Sequence, residues 1–223
     1  MPDGQYSFYL HSDDRTDIAA MATISTISQP LRGEFIRTAA TAGAVVYQVD
    51  ARLSALIPVF FAGQLSAVRL CAVMALVSGT WSSLTGLPDE PENGEAALPV
   101  SPETEYQRRR YTLTLQNGRS GERVESVLTE ASSRLRGDLL RNLIITGLAL
   151  HTTAPELPRL LASMPVPPTS VSELQSLVQQ MAGTADVNRA AAAVPDTPAA
   201  SAAPVSGSDT REIKKNMRRA FGD

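Results

Sequence analysis

Two short runs of the sequence alternate polar and apolar side chains, and their polar members are the residues best suited to chemistry. These are Ser7, Tyr9 and His11 in YSFYLH, and Arg110, Thr112, Thr114 and Gln116 in RYTLTLQ. Residues two apart lie on one face of a strand, so hydroxyl, imidazole, amide and guanidinium groups would form a single hydrogen-bonding surface. The intervening apolar residues predict that the opposite face of each strand is buried.

The residues that most often carry catalysis are scarce in this chain. It has two histidines, His11 and His151, and one cysteine, Cys71. No metal-spaced cluster and no phosphate-binding glycine loop appear, so we expect neither an enzyme nor a cofactor. His151 and Cys71 lie on apolar helical stripes, where packing is the simpler role. A single cysteine excludes an internal disulfide and, with no leader-like N-terminus, suggests a cytoplasmic protein.

The sequence contains an internal repeat. LRGEFIRTAATAG at 31–43 returns as LRGDLLRNLIITG at 135–147, an offset of 104 residues. The same offset holds without a gap to residues 80 and 184, and the two alternating runs extend the match toward the start of each copy. A constant register over this length indicates a duplicated unit.

Each unit reads as a strand, two helices and a small helical extension. The apolar stripes of the first helices are Ile18, Met21, Ala22 and Ser25, and Val124, Val127, Leu128 and Ala131. The second helices carry Phe35, Ile36, Ala39, Ala40, Gly43 and Tyr47, and their equivalents 104 residues later. The extensions carry Leu53–Leu56–Ile57–Phe60 and Leu70–Val73–Met74–Val77, again with equivalents in the second unit. Gly33 and Gly137 occupy the predicted N-cap positions of the second helices.

A lone strand has two unpaired edges, so each unit needs a partner strand. The duplication supplies one, because the first strand can pair antiparallel with the second in the same chain. The predicted fold class is therefore mostly α with a short two-stranded β-ribbon. It consists of tandem ribbon-helix-helix units, each with a helical extension, which form an intrachain pseudo-dimer.

A two-stranded ribbon fits the major groove of DNA, where outward side chains reach base edges. On this interpretation the seven polar residues above contact DNA. The starts of the second helices offer free backbone N–H groups to phosphates, with Arg32, Gly33, Arg136 and Gly137 beside them. The alternative is that the alternating runs only pack in a sheet.

Two segments interrupt the units, and the chain ends in a basic peptide. The predicted organisation is a first unit over residues 1–81, an acidic linker over 82–105, a second unit over 106–184, a disordered Ala/Pro/Ser-rich linker over 185–209 and an amphipathic tail over 210–223. Residues 1–105 carry 5 arginines and 12 acidic residues, whereas residues 106–223 carry 15 basic and 11 acidic residues. The second half is therefore expected to make more of any phosphate contacts.

The tail, TREIKKNMRRAFGD, has an apolar stripe at helical spacing. The residues predicted to bind a partner are Ile213, Lys214, Lys215, Asn216, Met217, Arg218 and Phe221. An apolar stripe suits the hydrophobic groove of a partner protein, while a frayed charged end is the alternative. The most apolar window, at residues 57–77, contains Pro58, Gln64 and Arg69, so no membrane span is expected.

These features resemble the ParR/StbB-type adaptors of plasmid partition systems. IRTAATAGAVVYQVDAR at 36–52 looks like the second ribbon helix of that family, and EIKKNMRRAF at 212–221 is similar to its terminal peptide. The resemblance implies binding to centromere-like DNA repeats, a ParM actin-like filament as partner of the tail, repression of its own operon and possible self-assembly on DNA. The departure is the fusion, because the usual member is a single unit that dimerises.

A ribbon-helix-helix repressor, an antitoxin or a conjugative relaxosome accessory protein would share the same pattern. An antitoxin tail usually wraps its toxin with a longer apolar segment than this chain offers, which favours the adaptor. The partner captured by the tail would separate these alternatives.

Overall fold

The computed structural model of the chain describes residues 4–80 and 107–192, with the backbone alone over 184–192. The first repeat contains β1 (Gln5–His11), α1 (Arg15–Ser25), α2 (Arg32–Val49), α3 (Ala51–Phe60) and α4 (Ala67–Ser78). The second contains β2 (Arg108–Thr114), α5 (Arg119–Glu130), α6 (Arg136–Thr153), α7 (Leu157–Ser163) and α8 (Val171–Ala192). The predicted order of elements is confirmed in both repeats.

β1 and β2 form a two-stranded antiparallel ribbon within the one chain. Ser7 lies opposite Thr112 and Phe8 opposite Tyr111, whose stacked rings have centroids 5.2 Å apart. Phe8, Leu10 and Leu113 are buried on the inner face, as the alternation predicts. The duplication thus supplies the second strand that each unit lacks.

The helices of the two repeats share one hydrophobic core. α2 packs against α6 and α7 of the other repeat, and α3 packs against α6. The crossing of α2 and α6 is so close that a Cβ on Gly43 would overlap the Leu143 carbonyl, and a Cβ on Gly147 that of Ala39. Consequently Ala39 to Val46 are buried on every side of α2, not only along the predicted stripe.

The predicted stripe of α1 is correct only in part, since Ile18 and Met21 are partly buried. The buried residues are Asp17, Ala19, Ala20 and Ile24, whereas Ala22 and Ser25 are exposed. A stripe of apolar residues predicts that an aspartate faces solvent. Asp17 is buried instead, because its carboxylate is paired with Arg141. The stripe of α5 is correct for Val124, Val127 and Leu128, which are buried, but Ala131 lies past the end of the helix as its C-cap.

Other local predictions also need correction. Gly33 and Gly137 are not N-caps but the second residues of α2 and α6, whose N-caps are Leu31 and Leu135. In the first repeat a 3-10 turn at Gln29–Leu31 leads into the helix, which begins two residues before the predicted start.

Phe60 is exposed and Phe61 is buried in its place, because α3 ends at Phe60 and the backbone becomes extended at the next residue. α8 extends to Ala192, eight residues past the predicted boundary at 184, in agreement with the high helix propensity of its alanine-rich end. The acidic linker and the rest of the second linker lie outside the described residues.

Candidate nucleic-acid interface

The outer face of the ribbon brings together the polar residues predicted from the sequence. Its side chains alternate with those of the inner face along both strands: Gln5, Ser7, Tyr9 and His11 on β1, and Arg108, Arg110, Thr112 and Thr114 on β2. Of the intervening residues on β2, Leu113 is buried, Tyr111 is partly buried and Arg109 is exposed. The outer-face side chains of β2 are exposed. Gln116 lies just beyond β2 and is also exposed.

Two arginines of this face are held in place by β1. The Nε and Nη2 groups of Arg110 donate to Oγ of Ser7 at 3.3 and 3.0 Å. The guanidinium of Arg108 stacks on the Tyr9 ring, with its central carbon 3.5 Å from the ring centroid. These contacts order the two arginine side chains before any ligand binds, so less side-chain entropy is lost on binding. Arg108 is absent from the residues selected from sequence, although period-two alternation from Arg110 leads to it.

The start of α6 lies beside β1. A Cβ built on Gly137 would be 3.5 Å from the backbone oxygen of Ser7, an ordinary van der Waals contact. α2 packs in the corresponding way near β2. The first turns of α2 and α6 carry an acidic residue each, Glu34 and Asp138, which suits the positive end of the helix dipole.

The arginines before these glycines turn back toward the preceding loop. Nε of Arg32 donates to the Ile27 carbonyl at 2.8 Å, and Nε of Arg136 donates to the Ala131 carbonyl at 3.2 Å. These hydrogen bonds fix the loops that precede α2 and α6. Each guanidinium keeps further N–H groups beyond the ones used here.

An open groove of about 640 Å³ runs along β1 toward the start of α6. Its lining combines predicted residues with charged ones that sequence reasoning did not select: Ser7, Tyr9, His11, Arg108, Gly137, Asp13, Asp14, Asp17, Arg134, Asp138, Arg141 and Asn142. The groove is polar and carries both signs of charge.

The base of the groove is an ion-pair network. Arg141 donates from Nε to Oδ1 of Asp17 at 2.6 Å and lies 3.2 Å from Oδ2 of Asp14. The backbone N–H of His11 donates to Oδ2 of Asp17 at 2.9 Å. Burial raises the pKa of Asp17 above its usual 3.8, although the bonds from His11 and Arg141 act in the opposite direction. The network ties the end of β1 to α1 and α6.

The remaining chemistry-bearing residues pack as predicted or lie apart from the ribbon. His151 stacks edge-on against Phe35 with ring centroids 5.0 Å apart, and its Nδ1 lies 3.1 Å from the Pro155 carbonyl oxygen. Cys71 is a half-buried free thiol whose pKa is raised by burial. Over residues 4–80 and 107–192, no cluster of His, Cys, Asp and Glu could hold a metal ion. No helix in those ranges is long and apolar enough to cross a membrane.

Several predicted residues cannot be placed. The tail residues Ile213, Lys214, Lys215, Asn216, Met217, Arg218 and Phe221 lie outside the described residues.

The chain repeats a strand–helix–helix unit, and the strands of the two copies pair in one antiparallel ribbon. The protein is therefore a duplicated, mostly helical chain with a two-stranded ribbon. The chain belongs to the plasmid stability protein family, whose model matches residues 4–74 and again residues 109–178. The double match agrees with the duplication in the sequence, and the family supports a role in plasmid maintenance. Comparison with curated proteins and with solved structures gave no match.

Proposed function

We propose that the chain is a ribbon-helix-helix protein that binds duplex DNA through the outer face of its β1–β2 ribbon. The observation that carries this proposal is the pair of arginines, Arg108 and Arg110, fixed by Tyr9 and Ser7 on an exposed polar face. A ribbon of this width enters the major groove, where arginine and threonine side chains reach base edges.

The flanking helix starts support the same mode of binding. The first turns of α2 and α6 pack near the two strands, so their free backbone N–H groups would meet the phosphates on either side of the groove. Arg32 and Arg136 hold the loops that position those turns. Phosphate contacts would make the affinity fall steeply with salt through released counterions.

The DNA-binding role is tested by substitutions on the exposed face. Thr112→Ala with Thr114→Ala and, separately, Arg108→Ala with Arg110→Ala should weaken binding to DNA upstream of the chain's own operon. Each lost base contact should cost roughly 1–3 kcal/mol of binding free energy. Arg159→Ala is the matched control, because Arg159 is an exposed arginine on α7. Equal gel-shift affinities for the ribbon variants and the control would refute the proposal.

We further propose that the chain links plasmid DNA to a segregation machine through its C-terminal residues. The support is the resemblance of residues 212–221 to the terminal peptide of ParR/StbB-type adaptors, whose partner is the actin-like ParM filament. Repression of its own operon and assembly of several copies on repeated sites belong to the same proposal.

Deletion of residues 210–223 separates the two activities. DNA binding and repression should persist, while plasmid inheritance should fail. A pull-down with the tail peptide should recover an actin-like ATPase. Normal inheritance after the deletion, or recovery of a toxin or a transfer protein instead, would contradict the adaptor proposal and leave DNA binding standing.

A further inference from the structure

The outer face of the ribbon differs from one end to the other. The two strands align with an offset of 105 residues, as Tyr6 aligns with Tyr111, and Ser7 pairs directly with its own equivalent, Thr112. A pseudo-twofold axis therefore passes between Ser7 and Thr112. It relates the pair Gln5–Thr114 at one end to the pair Tyr9–Arg110 at the other.

A dimer of identical chains would carry the same side chains at both ends of its ribbon. Here one end carries Tyr9 and Arg110, followed by His11 and Arg108. The other end carries Gln5 and Thr114, with Gln116 just beyond in the place that corresponds to His11. Among the described outer-face residues, those of the first end are cationic and aromatic, and those of the second end are uncharged.

The loops that leave the two ends differ as well. β1 runs into α1 through Asp13 and Asp14 at the cationic end, while β2 runs into α5 through Asn117 and Gly118 at the neutral end. Carboxylates repel phosphates, so Asp13 would weaken phosphate contacts beside the cationic end, whereas the charge of Asp14 is balanced by Arg141. That end would then rely more on contacts with base edges.

The two arginines keep the donors needed for a base. Arg110 uses two of its five N–H groups on Ser7, which leaves three. Stacking on Tyr9 covers the face of the Arg108 guanidinium and leaves its N–H edge available. A guanidinium edge pairs with O6 and N7 of guanine, whereas glutamine and threonine suit adenine and the thymine methyl group.

We infer that the chain recognises a non-palindromic DNA site, with Arg108 and Arg110 over guanine at one end and Gln5 and Thr114 over different base pairs at the other. This inference rests on the proposed DNA binding and adds that the chain binds its site in a single orientation. A chain fused into one polypeptide keeps that direction at every copy of the site.

Selection from a random duplex library with the full chain tests the direction. The recovered motif should lack twofold symmetry and contain guanine at one end. Replacing that guanine by adenine should lower the affinity of the wild-type chain by roughly 5- to 100-fold. A palindromic motif, or binding without base preference, would overturn the inference while DNA binding stands. No binding even at low salt would overturn both proposals.

A symmetrised ribbon provides the matched variant. Tyr9→Thr with Arg110→Gln gives the two ends equivalent pairs, so the selected motif should become palindromic at its centre. Circular dichroism checks that this variant folds. Should it not fold, Gln5→Arg alone replaces it, and its motif should contain guanine at both ends. Recovery of the wild-type motif by a folded variant would contradict the inference.

Discussion

The junction between the strand and the first helix contains charged residues in the first repeat and glycines in the second. In the first repeat, Asp14 caps α1 by accepting a hydrogen bond from the Asp17 N–H, and Asp17 is buried against Arg141. In the second, the equivalent positions are glycines: Gly118 has a φ of 137°, and a Cβ on Gly121 would overlap the Gln116 carbonyl. One junction is held by charge and the other by close backbone packing.

This difference leaves the two equivalent arginines in unequal positions. Arg141 is bound by two carboxylates, whereas among the side chains described at 4–80 and 107–183 the guanidinium of Arg37 has no carboxylate at salt-bridge distance. A fused chain can diverge in this way because each repeat always meets the same partner. Identical subunits would have to satisfy both roles with one sequence.

The largest effect is expected where the repeats remain alike. Gly43→Ala and Gly147→Ala should each lower the free energy of unfolding by at least about 3 kcal/mol, because the new Cβ overlaps a backbone carbonyl of the facing helix and the helices must separate. Urea denaturation measures the loss.

Gly183→Ala is the control for these variants. A Cβ on Gly183 meets no described atom within 4 Å, so alanine should be neutral or stabilise α8 by about 0.5–1 kcal/mol. Losses at Gly43 and Gly147 no greater than the change at Gly183 would disprove the close crossing.

A smaller and unequal effect is expected at the equivalent arginines. Arg141→Met should cost about 2–3 kcal/mol near pH 7, because Asp17 stays buried with its charge unpaired. Arg37→Met, the same substitution in the other repeat, should cost well under 1 kcal/mol. Equal losses in the two variants would show that the two equivalent arginines have the same structural role.

The pH dependence of the Arg141→Met variant sharpens this result. The pKa of Asp17 is already raised above 3.8 by burial, and loss of Arg141 raises it further. A raised pKa in the folded state favours folding at low pH, and this contribution is lost as the pH rises through that value. The deficit relative to wild type should therefore shrink from neutral pH toward pH 4, and a constant deficit would contradict the buried pair.

An effect smaller than that of Arg141→Met is expected at the cap of α3. Asp50 accepts the Arg52 N–H at 2.9 Å and pairs with its guanidinium, while the equivalent residue in the second repeat is the buried Ala154. Asp50→Ala should cost about 1 kcal/mol at neutral pH.

The Arg52 hydrogen bond lowers the pKa of Asp50, so its contribution is present above the unfolded value and lost as the pH falls through the folded one. Thermal unfolding of wild type and variant should converge in acid. A difference that persists below that pH would show that the pair does not carry the effect.

The sequence predicted the elements of this fold because they depend on local patterns. Alternation at Phe8 and Leu113, and the repeated phrase at 31–43 and 135–147, were sufficient to indicate the ribbon and the fused pair. Burial of Asp17 was not predictable, because its partner Arg141 is 124 residues away in the chain. Gly33 and Gly137 were misplaced because both second helices begin two residues earlier, at N-caps that make no side-chain hydrogen bond for the sequence to reveal.

The candidate site was predictable in its outward residues but not in the contacts between them. Alternation gave the outward residues of the ribbon, but the stacking of Arg108 on Tyr9 depends on the register of the two strands. That register follows from the antiparallel pairing of segments about a hundred residues apart, and no local pattern specifies it.

The most direct test of the central claim is amide chemical-shift mapping of the full chain during titration with duplex DNA from upstream of its own operon. The largest shifts are expected on Gln5–His11 and Arg108–Thr114, with further shifts at the first turns of α2 and α6. Shifts confined to α4 and α8, with the ribbon unchanged, would contradict that claim.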